Sequence, residues 1–151
     1  MPKIIEGKIV AKGMRFGIVA SRFNAEITER LLRGTEGFFR EKKVPPAQVK
    51  VVWVPGAFEL AGAAARMAHS GKYQAIVVVG CILQGETSHH QYLSQATVTG
   101  GMMAGALTGV PVTCGVITAQ SWKLVLARSQ PKGVNRGREA AQAAWQLVNR
   151  G

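Results

Sequence analysis

Hydrophobic positions along the chain recur with two periods, and the alternation between them predicts the elements. Residues 14–21, MRFGIVAS, form a β-rich run that empties into the loop-like tripeptide Arg22, Phe23, Asn24. From 26 to 43 the apolar residues fall at Ile27, Leu31, Leu32, Phe38 and Phe39, roughly one face of a helix. Pro45 and Pro46 are expected to stop that helix, since proline lacks the amide hydrogen a helix interior needs. VKVVWV, 49–54, reads as a second strand ended by Pro55 and Gly56, and the Ala-rich stretch 58–70 as a second helix. Residues 75–83, AIVVVGCIL, are nearly all apolar, as a strand covered on both faces should be. A third helix follows over 88–107, a fourth strand over 112–118, a short helix over 121–129 and a last helix over 137–149. No internal repeat or low-complexity segment interrupts the series.

Four strands, each followed by a helix, predict an α/β fold with a parallel sheet and right-handed crossovers. At 151 residues and 47% hydrophobic content, the chain can bury roughly two thirds of its unfolded surface as one domain, 1–151. The longest apolar run, 75–83, is far short of the roughly 20 residues a membrane-spanning helix needs. MPKIIEGKIV at the N-terminus lacks the charged-then-apolar order of a secretory signal, so the expected location is cytoplasmic. Cys81 and Cys114 each sit in an apolar strand-like run, where a thiol usually behaves as a small buried hydrophobe. Neither shows metal-ligand spacing, and no metal site is expected.

A parallel sheet collects ligands beyond the carboxyl ends of its strands, and three of the four strand exits here carry unusual chemistry. Gly85, Glu86, Thr87 and Ser88 open a helix, whose unpaired amides at the positive end of the dipole suit a phosphate. The plainer alternative is that Thr87 or Ser88 merely caps the helix. His89 falls in the first helical turn, where the dipole disfavours a second positive charge; a neutral imidazole beside a bound anion can shuttle protons. His90, about 100° further round the helix, reads as surface or interface. Phe23 is a hydrophobic staple or a stacking plate for a flat heterocycle, the staple being the better guess in isolation. Glu59 sits at a helix start, where the dipole favours a carboxylate whatever its function; holding the hydroxyls of a polyol is the alternative.

Charge adds less than its size suggests. The formal net charge is +11, which can advertise an anionic partner. The basic residues are spread along the chain, without aromatic interleaving or a nucleic-acid motif. A solvated basic surface with at most non-specific nucleic-acid binding is the expectation.

Five segments carry a resemblance. RFN at 22–24, PGAFEL at 55–60, GETSHHQY at 85–92, GVIT at 115–118 and NRGREAA at 135–141 resemble, in order and spacing, the motifs of the lumazine synthase family, over nearly the whole chain. The resemblance implies a flavodoxin-like three-layer αβα sandwich assembled as a homopentamer, often with twelve pentamers in a 60-subunit icosahedral shell. It implies an N-terminal segment available to add a strand to a neighbouring subunit, and active sites shared between neighbours. The implied activity is that of a transferase in riboflavin biosynthesis. It condenses 5-amino-6-ribitylaminouracil with 3,4-dihydroxy-2-butanone 4-phosphate without a cofactor, releasing phosphate and water. By motif match, Gly85, Glu86 and Thr87 bind the phosphate, and His89 transfers protons. Phe23 stacks on the pyrimidine, and Ala57, Phe58, Glu59, Cys81, Ile82 and Leu83 line the ribityl and pyrimidine pocket. From the adjoining subunit, Arg128 resembles the phosphate-binding arginine, with Lys132 adding charge nearby, and Cys114 occupies a position that closes over the substrate.

Several residues depart from the family pattern. His90 and Gln91 stand where it has an aromatic and an acidic residue, and Cys114 stands where it has an aromatic. The short helix after GVIT carries Trp122, Leu124 and Leu126 with few acidic neighbours, which reads as a modified subunit interface. Gly100, Gly101 and Gly105 are costly inside a helix, and suggest close packing around an assembly axis. Two other readings follow: a shell-forming or engineered scaffold on the same fold with faded catalysis, or a flavodoxin-like module that binds a ready-made flavin or nucleotide.

Overall fold

The computed structural model describes residues 13–85 and 88–149. Its elements, in chain order, are β1 (Phe16–Ser21), α1 (Ala25–Glu41), β2 (Val49–Val54), α2 (Leu60–His69), β3 (Ala75–Leu83), α3 (His89–Thr108), β4 (Val112–Ala119), α4 (Trp122–Ala127) and α5 (Arg136–Val148). The four strands form one all-parallel sheet in the order β2-β1-β3-β4. The expected α/β architecture is thus present, with helices on both sides of the sheet. The N-terminal segment expected to reach a neighbouring subunit lies outside the described residues.

Sheet position explains strand composition. Every residue of β1 and eight of the nine in β3 are buried, because these two central strands are covered on both faces. The edge strands β2 and β4 mix buried with half-buried positions. On one face, Phe16, Ile18, Val77 and Val79 pack against α1 and α5 through Leu31, Phe39, Ala141 and Trp145. Phe16 stacks on Phe39 with ring centroids 4.4 Å apart, and Trp145 lies 5.9 Å from Phe16. On the other face, Val19, Ile76, Val78 and Ile82 meet Leu60, Ala64 and Met67 of α2. Truncating a buried aromatic such as Phe39 to alanine costs about 3–5 kcal/mol at sites of this kind.

Two helix ends differ from expectation for local reasons. α1 stops at Glu41, before the prolines: the Val44 amide donates to the Phe39 carbonyl and the Lys43 amide to that of Arg40, both at 3.0 Å. Lys43 adopts a left-handed φ of 62° to close this motif, a conformation usually filled by glycine. The residues before α2 form a separate 3-10 turn, Ala57–Glu59, so the second helix begins two residues later than its composition suggests. In α3, an added Cβ at Gly100 would lie 2.7 Å from the Cβ of Ala61. That glycine therefore serves the approach of α3 to α2 within one chain.

Candidate active site

Backbone hydrogen bonds bring the strand exits together. The amide of Arg22 donates to the Val54 carbonyl at 2.8 Å and that of Phe23 to the Pro55 carbonyl at 3.1 Å, joining the exits of β1 and β2. Asn24, at φ 57° and ψ 44°, turns the chain into α1. Asparagine tolerates this left-handed conformation better than most residues, and its side-chain amide donates to the Cys81 carbonyl at 3.1 Å. The Gln84 amide donates to the Ala119 carbonyl at 3.0 Å, tying the exit of β3 to the end of β4. Arg22 lies over Trp53, 5.4 Å from the ring centroid.

A cleft of about 590 Å³ opens at this end of the sheet. Phe23 lines it from the first exit, Pro55, Gly56, Ala57, Phe58 and Glu59 from the second, and Cys81, Ile82, Leu83 and Gly85 from the third. His89, His90 and Leu93 line it from the start of α3. Such a volume and mainly apolar lining suit a small ligand oriented by a few polar groups.

Phe23 is 71% exposed and Phe58 80% exposed, although both are aromatic. For Phe23 this overturns the staple reading, because a staple is packed against its helix and this ring instead borders the cleft. Helix starts differ in the same informative way. Ser121 and Asn135 cap α4 and α5 through side-chain bonds to the amides of Leu124 and Arg138, at 3.3 and 3.0 Å. Ser88, at the N-cap of α3, makes no side-chain cap bond, so the capping reading fails for that residue.

Nine of the residues singled out in the sequence meet at the cleft: Phe23, Ala57, Phe58, Glu59, Cys81, Ile82, Leu83, Gly85 and His89. Glu86 and Thr87 lie outside the described residues. Cys114, Arg128 and Lys132 are not among the residues lining the cleft. The two thiols also differ: Cys81 is buried, and desolvation pushes it up to about 11, whereas Cys114 is exposed on edge strand β4. The expectation of two buried cysteines holds only for the first, because an edge strand is not covered as β3 is.

His90, Leu93, Pro55 and Gly56 line the cleft without having been singled out as site residues. Helical spacing contains the signal for Leu93, one turn beyond His89. His90, expected at the surface or an interface, is half-buried and lines the cleft, while His89 is exposed. The cleft wraps around the first turn of α3, so both consecutive residues reach it.

Among the described residues, no cluster of three or more His, Cys, Asp or Glu residues could hold a metal ion. No described helix is long and apolar enough to cross a membrane. On α4, Trp122 and Leu124 are 41% and 39% exposed, but Leu126 packs partly against the core; the expected apolar stripe is therefore two residues wide.

A parallel α/β fold with an apolar, two-histidine cleft at the carboxyl ends of its strands defines a small-molecule site of the doubly wound class. The family model for 6,7-dimethyl-8-ribityllumazine synthase matches residues 13–151, and the chain belongs to that family. This membership supports a transferase-type role in riboflavin biosynthesis.

Proposed function

We propose that the chain condenses 5-amino-6-ribitylaminouracil with 3,4-dihydroxy-2-butanone 4-phosphate to give 6,7-dimethyl-8-ribityllumazine, inorganic phosphate and water. The observation that carries this reading is the meeting of Phe23, Glu59 and His89, from three separate exits, on one cleft. Phe23 offers an exposed ring for the pyrimidine, and Glu59 a carboxylate for the ribityl hydroxyls. The start of α3, with Gly85, Glu86 and Thr87 before it, receives the phosphate.

The 5-amino nitrogen attacks the ketone carbon, and loss of water leaves a Schiff base. Phosphate departs with its bonding electron pair, and the ribitylamino nitrogen closes the ring with loss of a second water. Each stage moves protons between nitrogen, carbon and oxygen, which His89 accepts and returns. No step changes the overall oxidation level, so the condensation needs no redox cofactor. Positioning both substrates in one cleft supplies much of the acceleration.

Arg128, Lys132 and Cys114 of an adjoining subunit complete the site in this reading. From Thr87 to Arg138 the sequence holds no carboxylate, and among the described residues neither cation has an ion-pair partner, which leaves them available to a phosphate. Exposed Tyr92, Met102, Met103 and Leu107 on α3 support homopentamer formation, with a 60-subunit shell as the larger assembly. The exposure of Trp122 and Leu124 supports a further subunit contact at α4, and Leu124→Glu should lower the assembly mass in size-exclusion chromatography. For the reaction itself, phosphate release and product absorbance should rise together at one to one with both substrates present. Phosphate release that does not require the pyrimidine would oppose condensation.

A further inference from the structure

Resting on that reading of the cleft, we propose that His90 is a second substrate-contacting imidazole, which contributes affinity for the phosphate-bearing substrate while His89 moves protons. Consecutive helix residues diverge by about 100°, yet both line the same cleft. His90 is also the more buried of the two. A ligand filling the cleft therefore meets both imidazoles.

The turn that carries His90 is held in place. The Thr118 hydroxyl donates to the Ser94 hydroxyl at 3.1 Å, and the Ser94 hydroxyl donates to the His90 carbonyl at 2.6 Å. This relay fixes the first turn of α3 to the end of β4. Across the cleft, the titratable groups are Glu59 before α2, Cys81 at the end of β3 and His89 on the same helix; β1 and α1 contribute only the uncharged Phe23. The thiol of Cys81 is neutral at physiological pH. A second imidazole at position 90 therefore adds an N–H donor close to the helix start, where an anion already finds the dipole favourable.

The chain has three histidines, and His69, in the last turn of α2, does not line the cleft. Imidazole nitrogen spectra of the full chain, titrated with inorganic phosphate and then with the butanone phosphate, should show His89 and His90 signals moving and His69 still. In steady state, His90→Phe should raise KM for the butanone phosphate roughly tenfold and change kcat far less. His90→Lys, which keeps an N–H donor, should restore a low KM. A stationary His90 signal while that of His89 moves, or equal KM increases for both variants, would overturn the proposal. Failure of the wild type to form product overturns instead the reading on which it rests, and the inorganic phosphate titration tests His90 without turnover or variants.

Discussion

The side-chain amide of Asn24 donates to the carbonyl of Cys81 at 3.1 Å, fastening the loop that carries Phe23 to the strand that carries Cys81, Ile82 and Leu83. Two properties of asparagine are used at once, its tolerance of a left-handed backbone and its donor. Asn24→Asp keeps the first and loses the second, and should cost about 1 kcal/mol; Asn24→Ala loses both and should cost about 2 kcal/mol. Urea unfolding measures these costs. Both variants should also raise KM for the pyrimidine substrate, because Phe23 loses its anchor.

Lys43 spends conformational energy at the end of α1. Its left-handed φ of 62° closes the helix but crowds a side chain that glycine would not have. Lys43→Gly should raise the unfolding free energy by about 0.5–1 kcal/mol, after the entropy that glycine adds to the unfolded chain is subtracted. A loss of stability would mean that the Lys43 side chain contributes more than its backbone costs.

These two residues also mark where the sequence was legible and where it was not. Strand and helix order followed from periodicity because β3 is covered on both faces and α1 on one, and burial writes itself into residue type. The stop of α1 was misplaced because Lys43 carries none of the usual glycine signal, and nearby prolines offered a false one. At the site, Phe23, Glu59 and His89 were found because strand exits are fixed by topology. His90 was missed because reach into a cleft depends on how the cleft curves around a helix tip. The burial of Cys81 and exposure of Cys114 turn on sheet order, which two similar apolar runs do not reveal.

Arg138 donates to both carboxylate oxygens of Glu41, at 3.0 and 2.7 Å, bridging α5 to the end of α1. This pairing holds the Glu41 carboxyl below its ordinary value of 4.5. A depressed native pKa means that the contribution to stability is complete above the unfolded value and disappears as pH falls through the native one. The difference in stability between wild type and Arg138→Gln should therefore be small and constant above pH 5, and vanish in more acidic solution. Denaturant titrations across that range measure it; a difference that grows on acidification would contradict the pairing.

Thiol labelling separates the two cysteines. Cys81, buried and pushed up to about 11, should resist a thiol reagent at pH 8, while Cys114, also pushed up by desolvation but exposed, reacts faster. One fast thiol per native chain should become two on unfolding. If Cys114 borders a neighbour's cleft in the assembly, the bound pyrimidine substrate should slow its labelling. An unchanged rate would remove Cys114 from the site.

The most direct measurement of the central claim is the rise of lumazine fluorescence when both substrates are mixed with wild-type protein and with His89→Asn. Wild type should form product well above the uncatalysed rate, and the variant should be slower by about a hundredfold or more, the usual worth of a general acid–base group. Equal rates for the two proteins, or a wild type no faster than buffer, would contradict condensation at this cleft.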